Sequence, residues 1–215
     1  MRKHFDEQLD KLHLSLLKMG ALVEDVIDLA IKSLVTQDLD KAQKVLKLDD
    51  KIDEMEIEIE EKCLNLLALQ QPIAKDLRRI STILKIITDL ERIGDHGVNI
   101  AKVTMKIGTQ KHIKPLIDIP RMADITKQMV KKSLDSFINE DTNLARETAE
   151  MDDIIDDIYE DIYVELLEML SVNKEIMQQV VYLLFVGRYL ERIADHTTNI
   201  CERIIYMTTG ERVEF

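Results

Sequence analysis

Apolar residues recur every three or four positions along almost the whole chain, the spacing of an amphipathic helix. Leu9, Leu12, Leu16, Met19, Val23, Val26 and Ala30 form one such stripe and predict a helix over about residues 5–35. Asp38 stands where an N-cap would open a second helix to about residue 69. Gln70-Gln71-Pro72 reads as a turn, followed by a third helix over about 73–107. Residues 108–120, with Pro115 and Pro120, are the only loop-like stretch of any length. Beyond it come a fourth helix over about 121–138, a fifth capped by Asp141 and running to about 170, and a sixth over about 174–207. Short connections between long helices imply antiparallel neighbours. The predicted fold class is all-α, two tandem three-helix bundles over residues 1–110 and 111–215.

The two halves share more than a period. Leu90-Glu91-Arg92-Ile93-Gly94-Asp95-His96 returns as Leu190-Glu191-Arg192-Ile193-Ala194-Asp195-His196, and eight of the fourteen positions from 89 to 102 match their partners at 189 to 202. At a shift of 103, Asp49-Asp50-Lys51-Ile52-Asp53 lies over Asp152-Asp153-Ile154-Ile155-Asp156. Unrelated amphipathic helices share leucines but not a polar signature, so one unit has been used twice and its chemistry should occur twice.

That chemistry lies where carboxylates interrupt the apolar stripes. In the third helix Ile73, Leu77, Ile80, Leu84, Ile87 and Val98 share a face with Glu91 and Asp95. In the second, Leu39, Ala42, Leu46, Ile57, Leu64 and Leu67 share one with Asp53, and Asp49 lies near its edge. If these helices turn near residue 71, Asp53 and Glu91 both lie roughly 28 Å from the turn, at a rise of about 1.5 Å per residue. Asp49 and Asp95 are level in the same way. Asp152, Asp156, Glu191 and Asp195 repeat the arrangement in the second half.

Carboxylates packed together repel, and hold protons near neutral pH unless a cation joins them. All-oxygen donors suit Mg²⁺, Mn²⁺ or Ca²⁺, and carboxylate clusters also take iron, with zinc a further candidate. The plainer alternative is that Lys51, Arg78, Arg92 and Arg192 neutralise these acids on a solvated helix edge. His96 and His196 point about 100° away from the preceding aspartates, as outer or interface residues rather than ligands.

A formal charge of −12 argues against nucleic acid and anionic lipid as ligands. The longest apolar run, residues 180–186, is too short to cross a bilayer, and the start of the chain turns acidic before any apolar core. Cys63 and Cys201 lack a C-x-x-C spacing and read as reduced core residues of a cytoplasmic protein. Spare apolar flanks on the helices suggest a homodimer. A di-metal carboxylate oxidase would carry Glu-x-x-His motifs, and none of the five histidines has Glu three residues before it. HExxH, a phosphate-cradling glycine loop and a G-x-S-x-G elbow are also absent from the sequence, so no enzyme is expected.

The two Leu-Glu-Arg-Ile-(Gly/Ala)-Asp-His-x-x-Asn-Ile segments, the paired Asp-Asp-x-Ile-Asp segments and Ala68-Leu69-Gln70-Gln71-Pro72 … Asp76-Leu77-Arg78 resemble the PhoU family over essentially the whole chain. The resemblance implies tandem three-helix bundles whose E(D)xxxD motifs can bind metal clusters. It maps these motifs onto Asp49/Asp53 with Glu91/Asp95 and onto Asp152/Asp156 with Glu191/Asp195. It also implies a cytoplasmic regulator that restrains the phosphate-specific ABC transporter at its ATPase subunit. With phosphate plentiful, such a regulator supports inhibitory signalling by a sensor histidine kinase. Two departures, Tyr189 opposite Asp89 and Gln178 opposite Arg78, suggest a second site less acidic at its margin. A metal-free helical adaptor is the alternative reading.

Overall fold

The first helix buries the stripe expected of it: Leu9, Leu12, Leu16, Met19, Val23, Val26 and Ala30 are all withdrawn from solvent. Each of these side chains except Ala30 contributes about 1.5–3 kcal/mol when fully buried, enough to order a long helix whose other face is polar. The computed structural model describes residues 2–70 and 72–215, with side chains placed for 5–68 and 72–215. It contains α1 (Arg2–Thr36), α2 (Leu39–Gln70), α3 (Ala74–Ile107), α4 (Asp118–Asn139), α5 (Thr142–Ala149), α6 (Asp152–Val172) and α7 (Met177–Thr209), with a 3₁₀ turn at Lys174–Ile176. Among the described residues no strand occurs, and no helix is long and apolar enough to cross a membrane. The expected turn at 70–72 includes Gln71, which lies outside the described residues.

Helices α1, α2 and α3 pack as one three-helix bundle, and α4, α5–α6 and α7 as a second. The bundles meet mainly along α3 and α7, with α1 against α4 as a lesser contact. The turns from α1 to α2 and from α4 to α5 are built alike. Gln37 and Glu140 take left-handed backbone (φ 52° and 50°) just before the capping aspartates. Asp38 accepts from the Lys41 N–H, and Asp141 from those of Asn143 and Leu144 at 3.0 and 3.1 Å, as N-caps do.

Three elements depart from the sequence expectation. The fifth helix is two, because the chain tightens at Glu150–Met151, where the Met151 N–H reaches back only to the Thr148 carbonyl at 3.2 Å. Thr148 Oγ1 there donates to the Leu144 carbonyl at 2.6 Å, a competition that bends helices; the matching residue of the first half is Val45, which has no hydroxyl. Helix α4 begins at Asp118 rather than near 121, since Pro120 sits in its first turn, where a missing N–H costs nothing.

The third departure matters most for the site. The buried face of α2 is Ala42, Val45, Ile52, Ile59, Cys63 and Leu66, whereas Leu39, Ile57 and Leu64 are exposed. These buried positions follow an alternating three-four spacing. Asp49 and Glu56 fill the two gaps in that series, so they are the acids of α2 that face the bundle. Asp53 is exposed, at the edge of that face.

Candidate metal centre

Helix α3 is buried on most sides because α1, α2 and α7 all pack on it. Its one-residue concession to α2 is Gly94. A Cβ at that position would stand 2.8 Å from Asp49 Oδ1, so the absent side chain lets the carboxylate settle against the α3 backbone. That oxygen is buried and has no hydrogen-bond partner. Burial pushes the Asp49 carboxyl up to about 6, helped by Asp53, Asp95 and Asp50 and opposed by Lys102. Glu91 is pushed up to about 7 by burial and by Asp95, with Arg92 opposing and Glu56 and Asp53 adding repulsion. Asp53 is raised as well, by burial and by Asp95. Asp95 thus acts on Asp49, Asp53 and Glu91 alike.

The second half repeats this. Asp152 is pushed up to about 7 by burial, then by Asp156, Asp195 and Glu191. Asp156 is raised by burial and Asp195, and Glu191 by burial and by Asp195 and Asp156 against Arg188. Asp152 Oδ1 and Glu191 Oε2 are buried without hydrogen-bond partners. Three orphaned carboxylate oxygens over two equivalent places are the donor chemistry a hard cation needs, so the residues fit a metal in kind. Among the described residues, however, no three His, Cys, Asp or Glu side chains stand together as a ready-formed metal-binding group.

Neutralisation by basic residues is only partial. Arg92 lies 3.3 Å from Glu91 and 3.1 Å from Asp95 on the solvent side, and Arg188 donates to Glu191. Arg78 is far from the acids, its Nε donating to the Met207 carbonyl at 3.3 Å.

Sequence reasoning missed Glu56. Its carboxyl is raised by burial and, further, by Glu60 and Asp53, while a hydrogen bond with Thr88 opposes. Its counterpart at a shift of 103 is Tyr159. The second cluster is therefore the less acidic one, but through Tyr159 and not through the margin suggested by Tyr189 and Gln178. Asp89 lies elsewhere: it is buried on the α3–α7 interface, where His196 Nδ1 meets Asp89 Oδ1 at 3.0 Å and Arg203 Nε lies 3.0 Å from Oδ2 as an ion pair without hydrogen-bond alignment. His96 stacks on Tyr189 with ring centres 5.8 Å apart, and the His96 and His196 rings are 5.7 Å apart. The duplicated histidines are thus interface residues that meet where the two halves join.

Both matches to the sequence model of the PhoU domain fall on this duplication, at residues 16–104 and 119–204, and each range contains one acidic quartet. The chain belongs to the PhoU family. The phosphate-specific transport system accessory protein PhoU homolog of Clostridium acetobutylicum is 44% identical over 99% of this chain and 98% of that protein. The homolog of Aquifex aeolicus is 39% identical over 97% of this chain and 94% of its own. Among solved structures, PhoU from Pseudomonas aeruginosa superposes with a TM-score of 0.92 at 34% identity, covering 96% of this chain and all of that one. The phosphate transport system regulatory protein PhoU from Streptococcus pneumoniae gives 0.91 at 31% identity, over 98% of this chain. Within that fold this chain carries its two acidic quartets on equivalent α2–α3 and α6–α7 hairpins.

The raised carboxyls have a pH consequence. Asp49, Glu91 and Asp152 hold their protons more tightly folded than unfolded, so the stability they lend is full below their unfolded values near 4 and is lost as pH rises through about 6 and 7. His96, pushed down to about 4 by burial and by His196, acts in the opposite sense, losing stability as pH falls below its unfolded value. Comparing variants removes this opposition. In chelator, the melting temperature should fall between about pH 5 and pH 8 by several degrees more in the native chain than in Glu91→Gln/Asp152→Asn. Equal slopes in thermal melts would show that burial and neighbouring acids do not raise these carboxyls.

Proposed function

We propose that this chain is a PhoU-type accessory protein of phosphate transport, a regulator rather than an enzyme, whose two carboxylate clusters hold metal ions. The observation that carries the metal half is the pair of equivalent clusters with buried, partnerless oxygens on Asp49, Asp152 and Glu191. The transport half rests on relatives that match over nearly their whole length and are named for the phosphate-specific transport system. Asp49, Asp53, Glu91 and Asp95 would hold one site, and Asp152, Asp156, Glu191 and Asp195 the other. A bound cation would supply positive charge between like charges and link α2 to α3 and α6 to α7.

In this reading the filled sites stiffen the two hairpins and fix the surface offered to partners. These are the ATPase subunit of the phosphate ABC transporter, a sensor histidine kinase and a second copy of the chain. The outcome is repression of the phosphate regulon when phosphate is plentiful, on the cytoplasmic side of the membrane. Free phosphate would be repelled by the bare clusters, so they do not sense it unaided. Replacing Asp49 and Glu91 with Asn and Gln should lower metal content by half. It should also derepress phosphate-starvation genes, with loss of transporter or kinase pull-down. Metal lost with repression and pull-down unchanged would leave the clusters as stability elements in a metal-independent adaptor.

A further inference from the structure

A cleft of about 590 Å³ opens at the far end of the α3–α7 interface, away from both carboxylate clusters. Gly210, in left-handed backbone at φ 82°, ends α7 and turns the chain back, and the Phe215 N–H donates to Glu202 Oε1 at 3.1 Å. Residues 212–214 thereby become one wall of the cleft, facing the first turns of α3. Four cations line it: Arg78, Lys85, Arg203 and Arg212, against the two acids Glu202 and Glu214. A third acid, Asp89, is paired with Arg203, so the local excess is one positive charge in a chain of net charge −12.

Two of the cations are oriented by the protein itself. Arg78 spends its Nε on the Met207 carbonyl at 3.3 Å, and Arg203 lies with its Nε 3.0 Å from the buried Asp89. Arg78, held through Nε, presents its terminal NH₂ groups in a fixed fork, the geometry that recognises phosphate oxygens, while Arg203 is anchored by charge alone. Lys85 and Arg212 are exposed. The cleft also has an apolar side. Leu77 and Tyr206 are exposed large side chains on facing helices, and the Arg212 guanidinium already lies over the Tyr206 ring, 5.8 Å from its centre. Ser81 and the backbone of 212–214 add neutral polar groups.

We propose that this cleft binds a phosphorylated small molecule bearing a planar ring, the chemistry of a nucleotide. The phosphates would meet Arg78, Lys85, Arg203 and Arg212, and the ring would lie on Tyr206 beside Leu77. The volume is within the range of small-molecule sites and exceeds what orthophosphate alone would fill. The site is independent of the carboxylate clusters and of their metal, so it stands or falls separately from the regulatory reading.

Calorimetry on the intact chain in chelator, with ADP, adenosine and orthophosphate as probes, tests this. ADP is expected to bind at micromolar concentrations, and adenosine and orthophosphate at least about tenfold more weakly. The exposed pair Lys85→Gln/Arg212→Gln should weaken ADP about tenfold or more with no change in melting temperature, and Tyr206→Ala should weaken ADP but not orthophosphate. Lys44→Gln/Lys47→Gln on α2 should leave ADP binding unchanged. The proposal is overturned if ADP gives no heat at millimolar concentration, if it binds Lys85→Gln/Arg212→Gln as tightly as the native chain, or if orthophosphate binds as tightly as ADP.

Discussion

Saturating the chelator-treated protein with Mn²⁺ near neutral pH is expected to raise its melting temperature by roughly 10 °C or more. A ligand at about a hundred times its dissociation constant stabilises the native state by about 2.7 kcal/mol, and two equivalent sites give about twice that. For a chain of this size each kcal/mol moves the midpoint by about 2–4 °C. The metal-free reference is also weakened, because Asp49, Glu91 and Asp152 must be ionised against burial and against the acids beside each of them. Protons compete for the same oxygens, so the rise should shrink as pH falls below about 6. Replacing Asp49, Glu91, Asp152 and Glu191 by their amides should make the metal-free protein melt higher and abolish the response to Mn²⁺. A response of equal size in that variant would place the ion elsewhere.

The second large effect is steric. A Cβ on Gly97 of α3 would lie 2.4 Å from Val26 Cγ1 of α1, and Val26 is fully buried and branched at Cβ. Such a side chain has one preferred rotamer in a helix and little room to yield. Gly97→Val should therefore cost about 3 kcal/mol through overpacking, despite the better helix propensity of the new residue. The melting temperature would drop by roughly 6–12 °C. The second half makes the contrast, since its matching pair is Met129 and Thr197 and both are fully buried. A flexible methionine accommodates there what Val26 does not. Trimming the neighbour in Val26→Ala/Gly97→Val should recover much of the loss. Full stability in Gly97→Val alone would mean that α1 and α3 are further apart than they stand here.

The same two halves show what a sequence reveals and what packing decides. The α1 stripe and both capping aspartates were legible, because each depends on spacing along one helix. The face of α2 was not. Its sequence carries two apolar series at helical spacing, one through Leu39, Ile57 and Leu64 and one through Val45, Ile52 and Ile59. Only the neighbours α1 and α3 select the second, and that choice leaves Asp49 part-buried and Asp53 exposed at the edge. The strict three-four series was the available signal, and it would have marked Glu56 together with Asp49. The roles of Asp89, His96 and His196 were illegible for another reason. They depend on how two bundles join, and no periodicity within one half encodes that contact. The duplication does show it afterwards: equal motifs from the two halves meet face to face, with His96 on Tyr189 and His196 on Asp89.

Elemental analysis of the purified chain and its variants bears most directly on the carboxylate clusters. Metal should accompany the native protein through exhaustive buffer exchange, fall by about half in Asp49→Asn/Glu91→Gln, and vanish when Asp152→Asn and Glu191→Gln are added. Metal at buffer level in the native protein, or the same content in all three chains, would contradict the account.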